Sequence, residues 1–275
     1  MRITRQGVKI RVRAGVSLVV LLIVLGLSFI PVGMMLLYSL RDGMSIQFEP
    51  WSLPVWPRWD NYGTAIAFLL APMARTLYVA GVSIAGITLF SCMAAYAFAR
   101  LKFIGKEFLF YAMLVVLLVP SVLTLTPSFA MAVGLGLRNS LEGLILFYVG
   151  GGQALAIFLL RAFFQSQPEE IFEAARMDGA GEARMVWSIA VPLAQPILIT
   201  VAFMSFLTIY NDFIWPLLML IPKDLYTVTI VVQGYSWDLA SASAGYVVAS
   251  LPLLVLFSYG MDYYVEGLTS GSLRA

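Results

Sequence analysis

Charged residues leave long gaps along this chain, and the gaps mark its elements. A charge at the bilayer centre costs about 2.5–3.5 kcal/mol on insertion scales, so uncharged runs of about 20 apolar residues read as membrane-crossing helices. Six apolar runs occur, uncharged except for Asp212 in the fifth: Ala14–Leu40, Thr76–Ala99, the stretch between Glu107 and Arg138, the stretch between Glu142 and Arg161, Pro196–Leu220, and the stretch between Asp238 and Asp262. The pattern predicts an all-α membrane protein with six transmembrane helices. The first run is too long for the apolar core of a secretory signal and lacks a small-x-small cleavage site, so it reads as a retained helix.

With the N-terminus inside, twelve of the 17 Lys and Arg residues fall on inner segments and five on outer ones. The positive-inside rule therefore places both termini in the cytoplasm. Residues 1–13 form a cytoplasmic N-terminal segment, 14–265 a single membrane domain, and 266–275 a cytoplasmic tail. Two outer loops are rich in aromatics and proline: Glu49 to Trp59, and Pro222 to about Ala242 with Tyr226, Tyr235 and Trp237. Such aromatics also serve as plain interface anchors. The second loop, at about twenty residues, is longer than a simple helix connection requires.

Composition agrees: 61% of residues are hydrophobic and 12% charged, against about 45–50% and about 25% in soluble domains. A net charge of +2 provides no strongly basic surface, so no nucleic-acid partner is expected. There is no histidine, and Cys92 is the single cysteine. Intrachain disulfides, Cys/His metal clusters and histidine base catalysis are thereby excluded, and no catalytic or metal site is expected.

The densest charge lies between Arg161 and Pro196. Ser166 with Glu169 reads as a capping box, with Pro168 in the first turn of a helix running to about Met177. Asp178-Gly179-Ala180-Gly181 supplies a glycine stop, and a second short helix from Glu182 to about Ile189 should end before Pro192. The first helix is too short to persist alone in water. Ile171, Ala174 and Ala175 share one face, thin enough to enter a groove of a partner. The other reading is a helix lying on the inner membrane surface, but such helices favour basic polar faces. Here Glu169, Glu170 and Glu173 outnumber Arg176.

Glu173-Ala174-Ala175, Asp178-Gly179-Ala180, Ile189, Pro192-Leu193 and Pro196 together resemble the EAA loop of the permease subunits of bacterial ATP-binding-cassette importers. The likeness extends to Ala94–Arg100, to Asn211–Leu217 and to the tail Tyr264–Gly271, and it points to the carbohydrate-uptake branch. Val191 stands where many relatives carry Leu, and the N-terminal region and first outer loop match least. The resemblance implies that Glu173, Ala174, Ala175, Asp178, Gly179 and Ala180 form a cytoplasmic coupling helix and its cap, between transmembrane helices 4 and 5. It further implies a multi-pass protein of the bacterial inner membrane. Its partners would be a second permease subunit, two cytoplasmic ATPase subunits, an extracytoplasmic solute-binding protein and a carbohydrate substrate, within membrane lipid. The outer loop Lys223–Ser243 would reach into that binding protein. Gly105-Lys106-Glu107 has neither the upstream glycine nor the following hydroxyl of a P-loop, so ATP and Mg would be bound by the partner ATPase and no cofactor by this chain.

Asp212 is the one carboxylate inside a hydrophobic run, which makes it a candidate gate. At about 1.5 Å per residue from Pro196 it lies about 24 Å up a core of about 30 Å, near the outer face. Its neighbours Tyr210 and Asn211, with Gln153 of the fourth run, complete the candidate substrate path. Each also has a plainer reading: tyrosine as an interface anchor, glutamine as helix glue. Pro120 and Pro127 should kink or break the third helix, and Cys92 reads as a packing residue. A permease of the same type for a non-sugar solute such as a glycerol phosphate stays open. A self-sufficient secondary carrier is disfavoured by the lack of an inverted repeat or midplane ion site, and an embedded enzyme by the lack of a catalytic constellation.

Overall fold

The computed structural model describes residues 3–234 and 238–270, with side chains at residues 17–234 and 238–261. Among the described residues there is no strand. A backbone without water to bond must satisfy its own N–H and C=O groups, and helices do this within one segment.

Four helices are long and apolar enough to cross a bilayer: α1 (Ile3–Ser39), α3 (Asp60–Arg100), α6 (Leu141–Ser166) and α13 (Leu239–Ser270). A short α2 (Gly43–Phe48) follows α1. The third and fifth expected crossings are not straight helices. The third is α4 (Lys106–Val116) and α5 (Ser121–Gly134), bent by 98°. Pro120 is the N-cap of α5, and a proline disfavours helical backbone at the residue before it, so the ladder stops there. Pro127 lies inside α5 without breaking it. Counting each bent pair as one crossing gives the expected six.

The segment before the fifth crossing also departs from expectation. The helix from Glu182 does not end before Pro192. It runs as α8 (Glu182–Met185), a π-helical turn (Val186–Ala190) and α9 (Val191–Leu193), then bends by 80° into α10 (Gln195–Asn211). The wide π turn just ahead of Pro192 relieves the clash that a proline ring makes with the preceding turn of an α-helix. Nor is Pro196–Leu220 one helix: α10 stops at Asp212 and α11 (Ile214–Met219) resumes beyond it. The second outer loop is itself folded, with a 3₁₀ turn at Lys223–Leu225 and α12 (Val228–Gly234), whose Val228, Ile230 and Val232 are buried. Tyr235, Trp237, the side chains of the tail motif from Tyr264, and those of the basic N-terminal residues lie outside the described residues.

The chain divides into two compact units. The first takes the chain up to Leu69 and the start of α13 up to Ser250. In it the first outer loop folds back on the end of α1: Asn61 donates to the Ser39 and Arg41 carbonyls at 2.9 Å each, and buried Arg41 donates to the Ser45 and Pro50 carbonyls. Trp51, Trp56 and Trp59 remain exposed, as does the apolar length of α1, which buries none of its most apolar window. An uncharged, uncovered surface of that length suits lipid or another membrane chain.

The second unit takes residues 70–234 and α13 from Leu251. Its core gathers around α6, where Leu144, Ile157, Leu160 and Phe164 meet Tyr96 of α3, Met185 and Ala190 of the loop, and Met219 of α11. Gly152 lets α6 close on Ile87 of α3, because a Cβ there would stand 2.6 Å from Ile87 Cδ1. Toward the C-terminal end of α6, buried Arg161 makes a forked ion pair with Glu107 of α4 at 2.6 and 2.8 Å and lies over the Phe110 ring.

Candidate coupling loop and membrane cavity

The loop after α6 builds its helix differently from the expected capping box. Ser166 turns back to donate to the Phe163 carbonyl, which closes α6. Gln167 is extended, and Pro168 occupies the N-cap of α7 (Glu169–Met177) without a side-chain hydrogen bond. Acidic Glu169 and Glu170 then sit in the first turn, where the helix dipole favours them. Glu169 pairs with Arg176 at 3.0 Å and with Arg100. The bond from Arg176 foremost, helped by Arg100, holds the Glu169 carboxyl below the usual range and in turn raises the Arg176 guanidinium.

The stop is a complete Schellman turn. Gly179 N–H donates to Arg176 O at 3.0 Å and Ala180 N–H to Ala175 O at 2.9 Å, with Gly179 at φ +79°. That left-handed conformation is the reason for glycine at 179.

The faces of α7 differ from the expected arrangement. Phe172, absent from the expected apolar face, is its fully buried side chain and packs on Tyr96. Ile171 and Ala174 point outward with Glu173, Asp178 and Gly179, and Met177 is 88% exposed. Ala175 and Ala180 are partly covered by the core. A bulky aromatic in so short and charged a helix was the available signal for the buried side. At the C-terminal end of α3, Arg100 donates to the Phe164 and Gln167 carbonyls at 2.6 Å each, and its guanidinium lies 4.2 Å from the Phe172 ring centre. Sequence reasoning assigned Arg100 no role.

Between α3, α6 and α10 lies a cavity of about 530 Å³, lined largely by apolar side chains including Ile87, Phe147 and Met204. Ser205, Thr208 and Tyr148 are its polar members. Gln153, Tyr210, Asn211 and Asp212 are not among its lining residues. Gln153 bonds back to Val149 O at 2.9 Å, leaving its buried Oε1 without a partner; Asn211 bonds back to Leu207 O. Tyr210 is buried and stacked on Phe206. Asp212 stands behind the wall: its Oδ2 accepts from the Tyr148 hydroxyl, its Oδ1 from Trp215 N–H, and its carbonyl from Thr229 Oγ1. These contacts end α10, start α11 and tie down α12. The structure thus joins Asp212 to the cavity through Tyr148, a residue that the sequence pattern did not single out.

Residues 86–269 match the family described as "Binding-protein-dependent transport system inner membrane component". The chain is 29% identical to the diacetylchitobiose uptake system permease protein of Streptomyces coelicolor, over 95% of this chain and 89% of that one. It is 32% identical to the maltodextrin transport system permease protein of Streptococcus pneumoniae, over 72% of each. Against the trehalose transport system permease protein of Mycobacterium tuberculosis it is 29% identical, over 92% of this chain and 94% of that one. In fold it resembles a chain from the crystal structure of a bacterial ABC transporter that imports the acidic polysaccharide alginate, with a TM-score of 0.82, 20% identity, and 92% and 97% of the two chains covered.

Proposed function

The chain belongs to the inner-membrane components of binding-protein-dependent transport systems, and from that premise we propose that it carries a carbohydrate inward, driven by a separate ATPase docked on α7. It is a transport permease subunit of the bacterial inner membrane and not an enzyme. The sugar assignment rests on relatives named for chitobiose, maltodextrin and trehalose uptake.

The observation that carries the docking is the outward face of α7. Ile171, Ala174 and Met177 leave an uncovered apolar stripe beside Glu173 on a nine-residue helix. Helices of that length are marginal unless packed on something, and a stripe of this kind suits a groove. With this face inward, both termini are cytoplasmic and the Lys223–Gly234 segment meets the solute-binding protein outside. ATP binding closes the ATPase dimer, the coupling helix moves with it, and the cavity alternates between the two sides. The partners are a second permease, two ATPase subunits that bind ATP and Mg, and the solute-binding protein. Glu173, Ala174, Ala175, Asp178, Gly179 and Ala180 form the coupling element, and Asp212 with Tyr148 acts as the gate support.

The test is purification of the tagged chain in mild detergent, mass spectrometry of what accompanies it, and uptake in vesicles. Recovery of a P-loop ATPase and a second permease, with ATP-dependent uptake of an oligosaccharide, is expected. Uptake that follows an ion gradient without ATP would overturn the reading in favour of a secondary carrier.

A further inference from the structure

Tyr96 and Arg100 stand one helical turn apart at the inner end of α3, and between them they hold both ends of the coupling loop. Arg100 holds the entry, through the Phe164 and Gln167 carbonyls and the Glu169 carboxylate, with Phe172 beneath its guanidinium. Tyr96 holds the exit: its hydroxyl donates to Glu182, the first residue of α8, at 2.9 Å, and its ring meets Phe164 and Phe172. Both side chains are buried, Tyr96 at 2% exposure. This grip needs arginine, because only a planar fork reaches two carbonyls and a carboxylate while lying over a ring.

At its outer part the same helix holds the folded outer segment. Arg75 Nε donates to the Tyr226 carbonyl at 3.0 Å, and Thr76 Oγ1 accepts from Val228 N–H at 2.9 Å. From Thr76 to Arg100 α3 is unbroken, a rod of about 36 Å at 1.5 Å per residue. Its one internal proline, Pro72, lies before Arg75.

We infer that α3 is the rod that carries displacement of the coupling loop across the membrane, with Tyr96 and Arg100 as positioning residues at its inner end and Thr76 at its outer end. The inference rests on the proposed docking of an ATPase at α7. The loop also packs on α6, where Met185 and Ala190 meet Leu160 and Phe164, but it enters through extended Gln167 and turns at Gly179–Gly181. Torsion at those points would dissipate a push that the hydrogen bonds of Arg100 and Tyr96 deliver to α3.

The experiment uses the purified transporter with its accompanying subunits, in a Cys92→Ala background, carrying Ser205→Cys in the cavity wall or Lys223→Cys in the outer segment. Labelling by a small methanethiosulfonate reagent is timed without nucleotide and with Mg-ATP plus vanadate. The parent should change its labelling rate with nucleotide at both reporters. Arg100→Gln and Tyr96→Phe should each cut that change about fivefold or more at both, with the ATPase still bound and Arg100→Lys only partly restoring it. Thr76→Val should lose the response at Lys223→Cys and keep it at Ser205→Cys, a split that general damage would not produce. Glu169→Gln combined with Arg100→Gln should cost less than the two separate losses together, because the two side chains share one joint. An undiminished response in both Arg100→Gln and Tyr96→Phe overturns the rod. Loss of the ATPase from Arg100→Gln would point to a structural role and count against it, and Tyr96→Phe, which removes one oxygen and keeps the ring, then decides. Glu173→Lys on the docking face separates the two claims. If it too leaves the response intact, the docking reading fails; if it abolishes the response while the α3 variants do not, only the rod fails.

Discussion

The Tyr148 hydroxyl on α6 donates to the Asp212 carboxylate at 2.8 Å, across 64 positions of sequence. One bond thereby ties a wall of the cavity to the break between α10 and α11, and the Asp212 carbonyl extends the tie to Thr229 in the outer segment. A carboxylate in an apolar run is tolerable when its lone pairs are engaged in this way.

Asp212→Ala should lower stability by about 1–3 kcal/mol, from a lost cap of about 1 kcal/mol and a half-buried Tyr148 hydroxyl left unpaired. Tyr148→Phe should cost less, and the double variant should cost less than the two separate losses combined. Thermal unfolding of the solubilised chain measures all three, and strict additivity would show that the bond carries no coupling.

Gly179→Pro should uncouple transport while leaving membrane insertion intact. Proline fixes φ near −65° where Gly179 has +79°, and it removes the N–H that bonds Arg176 O. Glu173→Lys, which reverses a charge on the exposed face, should do the same. Uptake and ATP hydrolysis in vesicles are the readout, and normal coupling in both variants would refute the role of the loop.

What the sequence made legible followed from charge. Gaps between ionisable residues located the four long apolar helices, and Asp178-Gly179-Ala180 announced the turn, since a left-handed stop needs glycine at one place. The bends at Pro120 and ahead of Pro196 fall beside the prolines that marked them, whereas the break at Asp212 stayed hidden because apolar composition is the same on both sides of it, so a hydropathy window cannot tell one helix from two. Burial of Phe172 and the reach of Arg100 depend on partners 64 or more positions away, a distance no local pattern spans. Ser166 looked like a cap because the spacing to Glu169 was right, but its hydroxyl found the Phe163 carbonyl first.

Acid should release the start of α7 only at low pH. The folded-state pKa of Glu169 is lowered, chiefly by its hydrogen bond from Arg176, so its contribution is present above the unfolded value of about 4.3 and is lost as pH falls through the folded value. Protection of α7 amides from hydrogen exchange should therefore be flat from about pH 5 to 8 once corrected for intrinsic rates. Glu169→Gln should lower it across that whole range. A loss of protection near pH 6 in the unmodified chain would contradict this.

Glycines of α6 should differ sharply on replacement by alanine. A Cβ at Gly143 would stand 2.3 Å from the Leu137 backbone carbonyl, whereas at Gly151 nothing lies within 4 Å. Gly143→Ala should destabilise the solubilised chain, and Gly151→Ala should be neutral or stabilising by up to about 1 kcal/mol. Equal melting temperatures for the two variants would contradict the packing described around α6.

The central claim is tested most directly at Met177, 88% exposed at the end of α7. A photo-crosslinking side chain placed there, activated in living cells, should capture a chain that mass spectrometry identifies as a P-loop ATPase, and Glu173→Lys should diminish that product. Crosslinks to lipid alone, with no ATPase recovered, would mean that α7 lies on the inner membrane surface and does not drive transport.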